Sequence, residues 1–362
     1  MQPSSAQAQF WQWFQKNADR LKGMMYGDDP DAREDATAEL REAVDAVEPG
    51  LILEFGQGGE GEPDQLVVSA DRKPERVDAV KAFVASAPAI PGWTVVAFRP
   101  RMEVGDAIEI VLQGERISPD DVWFRVEEDQ SGLNLTLHVR GLTPANERLR
   151  GMGASLMAEH TMGEQDAVTL VSSVEIKPLP KNPAAAKLHP LRDLLTVIDA
   201  ARERKYPPPG SLLLDTESDW HAGSGTISGS PAILLLHGGL QPVAGHPAYD
   251  RRLIVSIAFN QVNDAGLPAT NEEFEAVSDL GDQIRDALRT AQESLLALVI
   301  TTQGRRDLIF YTSNADSALK RLEPWQTGQT HEVTTDLEWD TFWDLYRSFC
   351  QAASESEDES EE

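Results

Sequence analysis

The sequence predicts an α+β protein: two β-β-α-β units in its N-terminal half, followed by a ferredoxin-like β-α-β-β-α-β module in its C-terminal half. Three observations predict this. Apolar residues switch repeatedly between the spacing of an amphipathic helix and the alternation of a strand. Pro74 and Pro144, each placed to open a helix between strands, lie 70 residues apart. The stretch 252–343 reads as strand, helix, hairpin, helix and strand in a single run.

The N-terminal region opens with helices. Trp11, Phe14, Ala18 and Leu21 share one face over 10–21, flanked by Phe10 and Trp13. Asp29 is placed to cap a second helix with Pro30 at its first position and Ala36, Leu40, Val44 and Val47 inward, ended by Pro49 and Gly50. Residues 51–55 and 65–70 read as a hairpin across a glycine-rich acidic loop. No helix opens after those glycines and no Lys-Ser or Lys-Thr pair follows, so they do not form a phosphate cradle. A helix over 74–86, a strand over 92–99 and another over 107–113 follow. The second unit repeats the order: strands at 122–126 and 133–139, a helix capped by Thr143 and Pro144 with Leu149, Met152 and Leu156, and a closing strand at 168–176.

These signals divide the chain into an N-terminal domain over 1–180, with units at 51–100 and 122–176, a linker over 181–210, a C-terminal domain over 211–350 and a disordered acidic tail over 351–362. The linker has one helix at 191–204 and then Pro207-Pro208-Pro209, which no helix or central strand accommodates. In the C-terminal domain, 220–225 and 232–237 suggest a strand pair, and 252–260 is apolar enough for a central strand. Thr270 and Glu273 form a capping box for a helix with Phe274, Val277, Leu280, Ile284 and Leu288 inward. A hairpin turns at Gly304, with Leu308 and Phe310 on one face of its second strand and Ile309 and Tyr311 on the other. A helix starting at Asn314 or Asp316, a strand at 331–335 and a helix at 341–350 with Phe342 and Tyr346 complete the module, its helices on one face of the sheet. The final SESEDESEE holds six acids and no hydrophobe.

Charge and composition restrict the function. Among 362 residues, 32 Lys and Arg stand against 60 Asp and Glu, a formal net charge of −28. This repels phosphate backbones and anionic lipids, so neither direct nucleic-acid binding nor a membrane partner is expected, and a basic protein is the partner to which the surface is suited. No apolar run approaches the length of a membrane span, and the N-terminus shows neither the basic nor the apolar region of a secretory signal. One cysteine, Cys350, fits a reducing, cytoplasmic setting.

No catalytic or metal motif keeps its spacing. Leu234–Gly239 reads LLLHGG, like an oxyanion-hole strand, but the chain has no Gly-x-Ser-x-Gly nucleophile elbow. The seven histidines include no i, i+3 or i+4 pair, so no metal or other cofactor is expected. His221, His237 and His246 fall in one stretch, and a hydrolase or small-ligand-binding enzyme using them is the alternative to a binding protein. Arg305, Arg306 and Asp307 at the hairpin are the candidate partner contact, since forked guanidinium donors suit carboxylate or phosphate. The competing reading pairs them with the module's own acids, because residues 251–346 hold 8 Lys and Arg against 16 Asp and Glu.

Gly266-Leu267-Pro268, then Asn271-Glu272-Glu273-Phe274-Glu275, Asp279-Leu280-x-Asp282, and Gly304-Arg305-Arg306-Asp307 before Phe310-Tyr311 occur in this order. In these motifs the stretch from about 220 to 346 resembles the bacterial domain of unknown function numbered six hundred ninety-five. Gly281 departs from that pattern, in which a longer polar or acidic side chain is usual, and predicts a bend in the helix. The resemblance brings no catalytic residues. Domains of this kind are sometimes grouped beside the B-type regulator of ribonuclease E, a protein inhibitor, which implies a binding role. The N-terminal half, with its FWQWF and GWTVVAFRPR segments, resembles uncharacterised bacterial proteins. The expectation is therefore a non-enzymatic, protein-binding regulator or inhibitor of a basic partner such as a nuclease or toxin.

Overall fold

The computed structural model describes residues 5–59, 61–102, 109–129, 132–209, 211, 219–289 and 293–360. The chain divides into two compact units, Met1–Arg202 and Glu203–Glu362. The class is α+β, as the periodicities predict. Among the described residues no helix is long and apolar enough to cross a membrane.

In the first unit, α1 (Ser5–Tyr26) and α2 (Pro30–Asp45) precede a three-stranded sheet. The aromatic face of α1 is buried: Trp11 Nε1 donates to Ser86 Oγ at 2.9 Å, and Phe14 meets Trp93 edge-on at 5.4 Å. Asp29 caps α2 by accepting from Asp31 N at 3.0 Å. Strand β1 (Ile52–Gly56) pairs antiparallel with β2 (Asp64–Ser69), and after α3 (Val77–Ala85) the chain returns as β3 (Trp93–Ala97), parallel to β2. Strand β4 (Ile110–Leu112) lies outside that sheet and, among the described residues, pairs with β5 (Glu115–Ile117) in a small hairpin; residues 107 and 108 of the strand expected at 107–113 lie outside the described residues.

The second sheet follows the same path. Strand β6 (Val122–Glu128) pairs antiparallel with β7 (Leu133–Val139); α4 (Glu147–Met162) and α5 (Glu164–Thr169) then lead to β8 (Val171–Pro178), parallel to β7. The inward face of α4 is not the expected one. Met152 is 42% exposed, while Gly151, Gly153, Ala154, Met157 and Ala158 are buried, because the helix comes so close that a Cβ on Gly153 would lie 2.2 Å from Ile117 Cδ1. Fully buried Glu164 joins the elements: its carboxylate accepts from Ser69 Oγ at 2.8 Å and Arg99 N at 3.1 Å.

The stretch expected as a linker holds a short strand and the helix expected within it. Strand β9 (His189–Pro190) pairs with β6, and helix α6 (Leu194–Lys205) buries Leu194, Ile198 and Ala201, with Leu191 just before it. Those four residues have helical spacing, in keeping with the helix expected at 191–204.

The second unit is a six-stranded antiparallel sheet in the order β10-β11-β13-β14-β12-β15. The strands are β10 (Trp220–Ile227), β11 (Ser230–His237), β12 (Arg251–Ala258), β13 (Ser294–Thr302), β14 (Arg305–Thr312) and β15 (Val333–Trp339). Helix α7 (Asn271–Arg289) joins β12 to β13, and α8 (Ala315–Gln326), capped by Asn314, joins β14 to β15. Strands β13-β14-β12-β15 thus have the order of a split β-α-β arrangement, with β10 and β11 added beside β13. The hairpin turn holds Gln303 at φ 49° and Gly304 at φ 81°, two left-handed residues that match the twist of the flanking strands.

Helices cover both faces of this sheet, not the one face expected. Leu253, Val255, Val299, Leu308 and Phe310 pack beneath α7 and α8. The opposite face, with Leu298, Ile309 and Tyr311, is covered by Trp343 and Tyr346 at the start of α9 (Asp344–Ser360) and by the turn holding Leu240 and Val243. Tyr311 stacks on Trp343 at 3.9 Å and donates to Asp340 Oδ2 at 2.7 Å. Phe342 precedes α9, and the buried ring beside Tyr346 is that of Trp343. Helix α9 also continues to Ser360 through the stretch expected to be disordered. Once the buried start of α9 has nucleated a helix, extension costs little, and Glu has high helix propensity.

Candidate functional site

The second unit holds a groove between α7 and the sheet, with a cavity volume of about 430 Å³. Helix α7 buries Val277, Leu280, Ile284 and Leu288, and the adjoining stripe Ser278, Gly281, Asp282, Arg285 and Arg289 lines the groove. Both sets follow from the 3.6-residue period, one step around the helix from each other. The floor comes from the sheet: Leu235, Val299 and Leu308 form one cross-strand row, and Leu296 and Phe310 another, with Trp220 at the side. Gly281 keeps the space open. A Cβ there would meet Leu308 Cδ1 and Cδ2 at 3.7 Å and Arg306 Nε at 3.9 Å, ordinary contacts, but anything longer enters the groove.

Arg306 reaches into this groove from β14. Its Nη1 donates to Thr301 Oγ1 at 3.3 Å and its guanidinium lies 5.7 Å from the Phe274 ring centre. That ring, expected inward, is 40% exposed. Burial lowers the Arg306 pKa from its ordinary value, with Asp282 acting in the opposite direction. Arg306 Nε and Ser278 Oγ are both buried and meet no hydrogen-bond partner among the described residues. Arg285 is engaged, with Nη1 3.0 Å from Asp282 Oδ1 and Nε 3.5 Å from Asp286 Oδ1.

The hairpin residues Arg305, Arg306 and Asp307 do not act together. Exposed Arg305 donates through Nε to Asp307 Oδ2 at 3.0 Å, and Asp307 Oδ1 accepts from Ser256 Oγ at 2.6 Å. The alternation of β14 sends Arg306 to the opposite face. Arg305 and Asp307 thus pair locally, while Arg306 lines the groove.

His221, His237 and His246 have three different surroundings. His221 is exposed, with Nε2 3.3 Å from Asp219 Oδ1. His237 is buried edge-on against Trp220, ring centres 4.7 Å apart. His246 donates from Nε2 to Pro207 O at 2.9 Å and accepts at Nδ1 from Ala248 N at 3.1 Å, which commits both ring nitrogens. Burial lowers its pKa, against the raising effect of its backbone hydrogen bonds. None of the three lines the groove. Among the described residues no three His, Cys, Asp or Glu side chains form a group able to hold a metal ion.

Residues 218–350 match DUF695, a family of unknown function. The DUF695 module spans β10 through the first turns of α9 and contains the whole groove. No curated protein and no solved structure matches the chain. Within the module, sequence reasoning singled out Arg306 and the oddity of Gly281 but missed Ser278, Arg285 and Arg289. The available signal was the polar stripe at i, i+7 and i+11 beside a helical glycine.

Proposed function

We propose that the protein is a non-enzymatic binding protein and that its DUF695 module holds a small ligand in the groove between α7 and the sheet. The observation that carries this reading is the pair of buried, unpartnered polar atoms, Arg306 Nε and Ser278 Oγ, lining one cavity with an apolar floor. Such an atom costs about 1–3 kcal/mol when its hydrogen bond is unmade, and a ligand acceptor placed there recovers that energy. The cavity lies within the usual range for small-molecule sites. A thermal-shift screen of small metabolites on the wild type and on Gly281→Leu, whose side chain fills the groove, tests the reading. At least one compound is expected to raise the Tm of the wild type alone; compounds that shift both proteins equally, or none that shift the wild type, sink it.

The net charge of −28 favours a second reading, in which a basic protein partner, such as a nuclease or toxin that this chain regulates or inhibits, is steered to the acidic surface. A cytoplasmic setting goes with it, in keeping with one cysteine in the whole chain. Capture from native lysate at low and high salt tests this: a partner retained at low salt and released at high salt supports it, and the absence of any salt-sensitive partner ends it.

A further inference from the structure

We infer that the groove takes a carboxylate carried on an apolar body, with the carboxylate between Arg306 and Ser278 and the body lying over Val299, Leu308 and Leu235. This rests on the groove being a ligand site and adds the class of ligand. The polar end is defined by geometry. Arg306 pairs in register with Thr301 on β13, and its Nε lies beside Gly281, one helical turn from Ser278. From that end the cross-strand row of Leu308, Val299 and Leu235 runs away as an unbroken apolar surface, followed by Phe310 and Leu296.

The charge balance selects an anion. Three arginines and one aspartate line the cavity, and because Asp282, at 3.0 Å, and Asp286 engage Arg285, Arg306 is the cation on which the choice of ligand rests. A guanidinium held partly out of water binds an oxyanion more strongly than a neutral acceptor, because charge-assisted hydrogen bonds are roughly twice as strong. The two unmatched donors fit a carboxylate, since Nε–H and one hydroxyl can serve its two oxygens.

Calorimetry on the full chain with octanoate, its neutral isostere octanamide and inorganic phosphate tests the inference. Octanoate is expected to bind about tenfold or more tighter than octanamide, the factor a hydrogen bond to a charged group supplies. Arg306→Met is expected to remove that preference and Ser278→Ala to reduce it, with octanamide binding weakened less than octanoate binding in both. Ser278→Ala guards against misfolding, since its hydroxyl has no bond in the fold to lose. Octanamide binding as tightly as octanoate overturns the inference and leaves the groove standing as a ligand site. Phosphate binding more tightly than octanoate, octanoate binding indifferent to both substitutions, or no binding of octanoate also overturns it. The ligand site itself is judged separately by the Gly281→Leu screen.

Discussion

Gly281 shows how one residue reconciles helix propensity with a cavity. Glycine inside a helix costs roughly 0.5–1 kcal/mol relative to alanine, and at this position a Cβ would meet only ordinary contacts. Gly281→Ala is therefore expected to raise stability by about that amount in urea unfolding. Glu273 illustrates a different control. Burial pushes its carboxyl up, and the amides of Asn260 and Gln261 with the His331 imidazole outweigh that and hold it below its ordinary 4.5. A carboxyl lowered by folding stabilises the protein fully above its unfolded pKa, and the contribution is lost as pH falls through the folded value. Glu273→Gln is expected to flatten the fall of Tm below pH 4.5, and an unchanged acid limb would count against this role.

At the scale of elements, the β13-β14 hairpin organises the second unit, and its register depends on two residues. Gln303 and Gly304 are both left-handed, and a side chain on Gly304 would have room, meeting Val262 Cγ1 at 3.7 Å. The cost of Gly304→Ala is thus conformational, about 1–2 kcal/mol, and is expected as a lower urea midpoint with an unchanged slope. Gln303→Gly, at the same turn, is expected to be tolerated. The alternation of β14 was legible in the chain: Leu308 and Phe310 face α7 and α8, while Ile309 and Tyr311 face α9. The same alternation separates Arg306 from Arg305 and Asp307, so the three cannot form one contact, although adjacency in sequence suggested it.

At the scale of the molecule, the second unit has its own core on each face of its sheet, drawn from residues between 220 and 353. A chain of residues 203–362 is expected to fold alone, with a dispersed amide NMR spectrum and cooperative unfolding. A collapsed spectrum would show that it depends on the first unit. Composition predicts a disordered tail over 351–362, whereas α9 runs on to Ser360: six acids in nine residues cannot form a core yet need none to extend a helix.

The sequence by itself determined the kind and order of the elements, since helical and strand periods are local: the stripe Val277, Leu280, Ile284 and Leu288, the cap at Asp29, the turn at Gly304 and the DUF695 motifs all lie within short stretches. The tertiary structure decided what periodicity cannot express. A period says which residues share a stripe, but not which side of a sheet the chain crosses to, and this is why Trp343 and Tyr346 close the second face. Nor does it say which polar side chains end up facing each other. Ser278 and Arg306 are 28 residues apart in the chain, and only the seating of α7 over β13 and β14 brings both to the lining of one groove.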